Sequence, residues 1–375
     1  MFQDGVTRKT SDSYFRGENP KFYPTDTSLQ RDDVVPEYLV KGLMPVRPFI
    51  DKGASIVAFG SCFAAYVADY LHDAGYNVTS KQRSKAYVTQ MADGIVHTHA
   101  IRQQFEWAWL NRVPEQPIWH GYKAEDFGYD DEARIATKQL FDGADVFIIT
   151  FGLSEIWYDE VTGEVFWRAP PREVFDRERH KFRVSEFGER LDNIRAIYAL
   201  IRHFRPSAAI VFTLSPVALT ATFRPIACEV ASSVSKAILR AAIDQHYREI
   251  KPNDDKLFYF PSYEIVTNDF LNPFRSDRRH VRLQVIDLNM KIFENYFCYN
   301  EFSSDFVVNT FRSALADDKR VASGNAAWDE IEQGTLNEIK DRRRALRAEL
   351  RAAEAEQRRS ERIREREAKR QGKAL

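Results

Sequence analysis

Four short apolar runs, each long enough for a strand and too short for a buried helix, limit how this chain can fold. They are residues 54–59 (ASIVAF), 144–151 (ADVFIITF), 208–214 (AAIVFTL) and 257–260 (LFYF). None alternates apolar with polar residues, which is the pattern of strands covered on both faces. Helical spacing fills the gaps between them. Phe63, Tyr66, Val67, Tyr70 and Leu71 fall at i, i+3, i+4, i+7 and i+8, and Gly75 supplies a stop. Phe187, Leu191, Ile194, Ile197, Leu200 and Ile201 are spaced in the same way, and further helices are expected near 98–110, 226–249 and 281–297. Short strands separated by helices predict an α/β domain with a mainly parallel central sheet. A hairpin is expected at 156–168, where IWYDE, the turn Val161-Thr162-Gly163 and EVFWR follow one another.

The predicted domain covers residues 51–305. Residues 1–50 are polar, contain Pro20, Pro24, Pro36, Pro45 and Pro48, and read as an extended arm. Residues 306–335 are expected to be a linker and 336–375 a charged helical tail. From residue 340 onward, 14 Lys and Arg stand against 7 Asp and Glu, although the whole chain has a net charge of only −1. The body therefore lacks the basic bias of a nucleic-acid binder, and no nucleic-acid partner is expected. The tail is rich in helix formers, with opposite charges three or four residues apart. Its large apolar residues, Ile339, Leu346, Leu350 and Ile363 among them, are too sparse for a coiled-coil seam, so a solvated helix is expected. That helix is the candidate contact for a protein partner.

Other classes are excluded by what the chain lacks. Hydrophobic residues at 44% and aromatics at 13% rule out wholesale disorder. No run of about 18 apolar residues predicts a membrane span, and the N-terminus has no apolar segment of a secretory signal. The three cysteines, Cys62, Cys228 and Cys298, are far apart with no CxxC. A disulfide framework or zinc ribbon is therefore not expected, and a cytoplasmic location is. No HExxH, histidine cluster or GxxxxGK[ST] loop occurs, so neither a metal nor another cofactor is expected.

In open α/β sheets, ligands gather at the carboxyl ends of the strands, which singles out three places. Gly60-Ser61-Cys62 follows the first strand and opens the first helix. There, unpaired backbone N–H groups and the helix dipole favour a developing anion, and Ser61 is equally a good helix cap. Asp277-Arg278-Arg279-His280 precedes the last core helix. A spacing of three lets the carboxylate orient the imidazole within one turn and leaves the second ring nitrogen for a nucleophile. Gly152-Leu153-Ser154-Glu155 ends the second strand and could donate to an oxyanion, or simply turn into the hairpin. Cys62 is an alternative nucleophile, because a thiol at a helix start can be activated. Only one of Ser61 and Cys62 can face a site, since neighbours on a helix diverge by about 100°. His97 and His99 are rival bases or helix-start histidines, and His97 is a candidate substrate contact.

Gly60-Ser61-Cys62-Phe63-Ala64 spells GSCFA and resembles the GSCFA-domain family, which looks related to the SGNH/GDSL hydrolases. The resemblance extends over roughly residues 45–300. It implies a three-layer SGNH-like fold with Ser61 as nucleophile, His280 as general base and Asp277 as the orienting acid. Asp93-Gly94-Ile95-Val96-His97-Thr98 looks like the family's second block. The resemblance then implies an oxyanion hole from the backbone N–H groups of Ser61 and Gly94 and from Ser154, which stands where SGNH enzymes carry Asn. A hydroxyl offers one donor where an amide offers two. The implied activity is a serine esterase or O-acyltransferase acting on an acylated small molecule or glycan. Glu155 and Trp157 are candidate substrate contacts, and Trp107, Trp109, Trp119 and Trp167 are further candidate stacking surfaces. The competing expectation is a catalytically silent binding or scaffold module that uses the tail.

Overall fold

The apolar runs become strands close to where the sequence places them. The structure, a computed structural model, describes residues 2–3, 6–7 and 21–371, apart from 83, 92–93, 116–129, 304 and 326. Asp93, Trp119 and most of the first 20 residues of the expected arm lie outside the described residues. In chain order the strands are β1 (Phe2–Gln3), β2 (Val6–Thr7), β3 (Ile56–Gly60), β4 (Val146–Phe151), β5 (Glu155–Asp159), β6 (His180–Val184), β7 (Ala209–Leu214) and β8 (Leu257–Tyr259). The helices are α1 (Cys62–Asp73), α2 (Tyr87–Gln90), α3 (Thr98–Leu110), α4 (Asp131–Asp142), α5 (Phe187–Phe204), α6 (Cys228–Ile250), α7 (Ser262–Asp269), α8 (Leu283–Phe297), α9 (Phe306–Ala322) and α10 (Trp328–Gln371).

β3, β4, β7 and β8 lie side by side in that order, all parallel. Val78 makes one parallel bridge to Ile56 on the free edge of β3. The spatial order is thus Val78, β3, β4, β7, β8. After β3 the chain first moves out to one side, then crosses back to build the rest of the sheet on the other. This reversal makes the crevice between the ends of β3 and β4 a topological switch point, where such sheets bind ligands.

Alternate side chains of the strands feed two cores. Ile56, Ala58, Val146, Ile148, Val211 and Phe258 pack under α1, α7, α8 and α9. Val57, Phe59, Phe147, Ile149, Phe212 and Tyr259 pack under α3, α4, α5 and α6. The result is a three-layer α/β fold, and every residue of β4 and β7 is buried. Each buried Val, Ile or Phe contributes about 1.5–3 kcal/mol, which is why these strands read as unbroken apolar runs.

Three expectations change. The hairpin does turn at 160–163 and returns through a bridge from Tyr158 to Val165, but the ladder partner of β5 is β6, paired from Glu155–Val184 to Asp159–His180. Residues 306–335 are not a linker. Val307, Val308, Phe311, Ala314 and Leu315 of α9 are buried in the first core, and α10 begins within the same stretch. The tail helix is also not simply solvated over its first turns. The Arg282 guanidinium lies 4.3 Å from the Trp328 ring and Arg342 lies 4.3 Å from the Tyr70 ring, while Arg343 pairs with Asp73 at 2.7 Å. Ion pairs and cation–π contacts take the place of the missing apolar seam. Among the described residues, no helix is long and apolar enough to cross a membrane.

Candidate functional site at the switch point

Ser61 occupies the crevice between β3 and β4. Gly60 before it has φ +138°, and a Cβ there would sit 2.1 Å from the Thr150 carbonyl oxygen, so only glycine lets β3 approach β4 this closely. Ser61 donates its backbone N–H to Thr150 O at 3.0 Å, and its Oγ accepts the Phe63 N–H at 3.3 Å, capping α1. The side chain is thereby set at the positive end of α1. Gly152 closes the other wall. A Cβ there would lie 3.2 Å from Ser61 Cβ and 3.1 Å from Val96 O, which already accepts the Gly152 N–H at 2.8 Å.

Asp277 and His280 meet as the sequence predicts, within a loop. Phe274 and Val281 bridge the base of the loop, the Arg275 N–H bonds His280 O at 2.8 Å, and Arg278 takes a left-handed φ of 56°. One oxygen of Asp277 accepts the N–H groups of Arg279 and His280, each at 3.0 Å, and the other accepts the His280 Nδ1–H at 2.5 Å. The imidazole hydrogen bond, joined by the two backbone donors, holds the Asp277 carboxyl well below the usual carboxylate range. With Nδ1 as donor, Nε2 carries the lone pair. Arg279 fastens the loop to the segment after β7 by bonding Leu219 O at 3.1 Å and Thr220 Oγ1 at 2.6 Å. Burial raises the Tyr66 hydroxyl of α1, on which Arg275, Cys62 and Asp277 also act electrostatically. Asp277 is therefore within electrostatic reach of the first turns of α1. Among the described residues no hydrogen bond joins His280 to Ser61.

The oxyanion donors implied by the resemblance are engaged elsewhere. The Ser61 N–H is taken by Thr150, and the Gly94 N–H by Met91 O at 2.8 Å. Ser154 is fully buried against α6, with its Oγ donating to Ser235 O at 3.0 Å and its N–H to Ser235 Oγ at 2.6 Å. His97 is a helix cap and not a substrate contact. It is 2% exposed, its Nδ1 accepts the Ala100 N–H at 3.1 Å, and its Nε2–H donates to Phe166 O at 2.9 Å. Burial, with the nearby Arg190, lowers His97 to about 3 and His99 to about 2, so both stay neutral. Glu155 accepts a hydrogen bond from Thr222 Oγ1 at 2.8 Å. Trp107, Trp109 and Trp167 are buried in the second core. Trp157 is half-buried within a cluster of Phe175, Phe182 and Phe223, and the rings of Phe175 and Phe223 are exposed. Cys62 is half-buried at the start of α1. Among the described residues no group of three His, Cys, Asp or Glu could hold a metal ion.

Two buried cations escaped the sequence reading. Arg190 donates to Thr98 Oγ1 at 2.8 Å and to Ser154 O at 2.7 Å, and burial lowers it to about 9. Lys236 donates to Gly152 O at 2.5 Å. A signal existed for both. Arg190 shares the helical register of Ile194, Ile197 and Ile201, and Lys236 that of Leu239 and Ile243, so each charge falls on an inward face.

Fold and site together define a three-layer α/β protein with a serine at its switch point and a carboxylate–imidazole pair on an adjoining loop. The chain belongs to the GSCFA family, whose model matches residues 55–293. That span includes Ser61, Asp277 and His280. Among curated proteins, none matches the chain.

Proposed function

We propose that this protein is a serine-dependent acyl-ester hydrolase or O-acyltransferase of the SGNH type. The observation that carries the reading is the Asp277–His280 pair. The ring is fixed in one tautomer by a carboxylate, which is itself held by two backbone N–H groups, on a loop anchored beside the strand ends. The order Val78, β3, β4, β7, β8 supports kinship with the SGNH/GDSL hydrolases, because it puts the serine of the GSCFA motif at the switch point.

In this reading the Ser61 hydroxyl leaves Phe63, gives its proton to His280 Nε2 and attacks the ester carbonyl. Asp277 stabilises the imidazolium that forms. The imidazolium then protonates the departing alkoxide, leaving an acyl-serine. Water, or the hydroxyl of an acceptor, is deprotonated by His280 and attacks the acyl carbonyl, and the imidazolium returns the proton to Ser61 Oγ as the acyl group leaves. Trp157 and the exposed rings of Phe175 and Phe223 offer an aromatic face suited to an acylated carbohydrate.

Purified protein should hydrolyse a short-chain aryl ester. Ser61→Ala should abolish turnover with folding intact, and Cys62→Ala should retain it. Loss on Cys62→Ala with unchanged turnover by Ser61→Ala would transfer the nucleophile to the thiol. One observation favours a second reading, a silent binding module: the three implied oxyanion donors are already hydrogen-bonded. Absence of turnover in the wild type would select it.

A further inference from the structure

Lys236 is the buried charge that the mechanism above leaves unused. It lies on the inner face of α6, is 4% exposed, and has no carboxylate partner among the described residues. Burying an ammonium group without a counter-charge is costly, so its position needs an explanation beyond packing. Among the described residues its one hydrogen bond goes to the carbonyl of Gly152, where an added Cβ would lie 3.2 Å from Ser61 Cβ. An ammonium has three donors, so two remain. The charged and titratable groups that act on it electrostatically are Cys62 on α1 and Arg279 on the loop, the sequence neighbours of Ser61 and His280. Lys236 thus sits on the wall of the crevice that holds Ser61.

We infer that Lys236 is a catalytic residue whose ammonium group binds the oxyanion formed when Ser61 attacks an ester. The inference rests on the serine-hydrolase reading and deepens it. The negative charge that develops on the carbonyl oxygen meets a fixed positive charge in a water-poor site, where such a contact is strongest. It returns to the carbonyl as the leaving group departs, so Lys236 neither gains nor loses a proton. This supplies what Ser61, Gly94 and Ser154 do not. It also explains how the family position occupied by Ser154 can turn away toward Ser235 without emptying the oxyanion site.

A pH dependence follows. Burial pushes Lys236 down to about 7, with Arg279 adding to the effect and Cys62 opposing it. The charged form is the active one, so turnover of the wild type falls as pH rises through that value.

The test is aryl-ester hydrolysis by wild type, Ser61→Ala, Lys236→Met and Lys236→Gln, with folding checked by circular dichroism. Glutamine keeps a donor for Gly152 O and so covers the case in which methionine fails to fold. The expected result is a fall in kcat of about 10²–10³-fold, the usual loss for an oxyanion donor, with KM nearly unchanged and the alkaline limb gone. Hydrolysis by wild type with kcat preserved in a folded Lys236 variant overturns the inference and leaves the esterase reading standing. A lower kcat with the alkaline limb intact also overturns it, since a structural role moves the rate and not the limb. Equal inactivity of wild type and Ser61→Ala overturns both.

Discussion

The loop at 274–282 and the crevice around Ser61 handle their polar groups in opposite ways. In the loop, both oxygens of Asp277 are spent on the turn and on the imidazole, and the His280 Nε2 lone pair is left over for chemistry. In the crevice, the nearby amide and hydroxyl donors are consumed by the fold itself: Ser61 by Thr150, Gly94 by Met91 and Ser154 by Ser235. The loop is therefore preorganised by local hydrogen bonds, whereas the crevice is preorganised by close backbone packing at Gly60 and Gly152 and by the charge of Lys236. Under the proposed function, the reactive centre joins one element that carries its own geometry to another that carries only shape and potential.

Three substitutions probe this contrast. The largest effect belongs to Asp277→Asn, which keeps the shape of the turn and loses the charge on the ring. Ester turnover should fall by about 10⁴-fold, as read from kcat. Because the Asp277 carboxyl is lowered in the folded protein, its interactions are complete above the ordinary value of about 3.9 and vanish only as pH drops toward the depressed one. The loss should therefore be constant across neutral pH, unlike that of Lys236→Met. A loss confined to acidic pH would contradict the tight pairing.

Gly152→Ala comes next and acts on the crevice. The added methyl meets Val96 O and Ser61 Cβ at 3.1–3.2 Å, so the backbone must give. On the proposed mechanism a displacement of about 1 Å at Ser61 should lower turnover by about 10²-fold, and overpacking should destabilise the fold by about 1–3 kcal/mol. Thermal melts and steady-state kinetics on the same sample separate the two losses. The smallest effect is expected for Glu332→Ala in α10. Glu332 stands 3.8 Å from both Arg275 and Arg282, which flank the acid–base loop. Partly exposed pairs of this kind are worth about 0–1 kcal/mol each, so losing both should lower turnover by no more than about 30-fold. A larger drop would show that the tail helix holds the loop more firmly than these pairs suggest.

The same contrast governs what could be read from the sequence. The strands were legible because a parallel sheet covered on both faces demands unbroken apolar runs. Asp277 and His280 were legible because their partnership spans three residues. The crevice was not, because its hydrogen bonds join distant segments: Ser154 meets Ser235, and Gly152 meets Lys236. Nothing near residue 154 announces that its hydroxyl is already taken. The same limitation misplaced the hairpin, where a genuine turn at 161–163 drew attention from the strand at 180–184 that completes the ladder. Residues 306–335, expected as a linker, begin instead with a core helix: Val307, Val308, Phe311, Ala314 and Leu315 keep helical spacing and bury.

The most direct measurement is the site and stoichiometry of labelling by a serine-reactive fluorophosphonate, mapped by peptide mass spectrometry on wild type and His280→Ala. One label per chain on Ser61, lost in His280→Ala, is the expected result. Labelling that is absent, or unchanged when the imidazole is removed, would contradict an activated serine at the switch point.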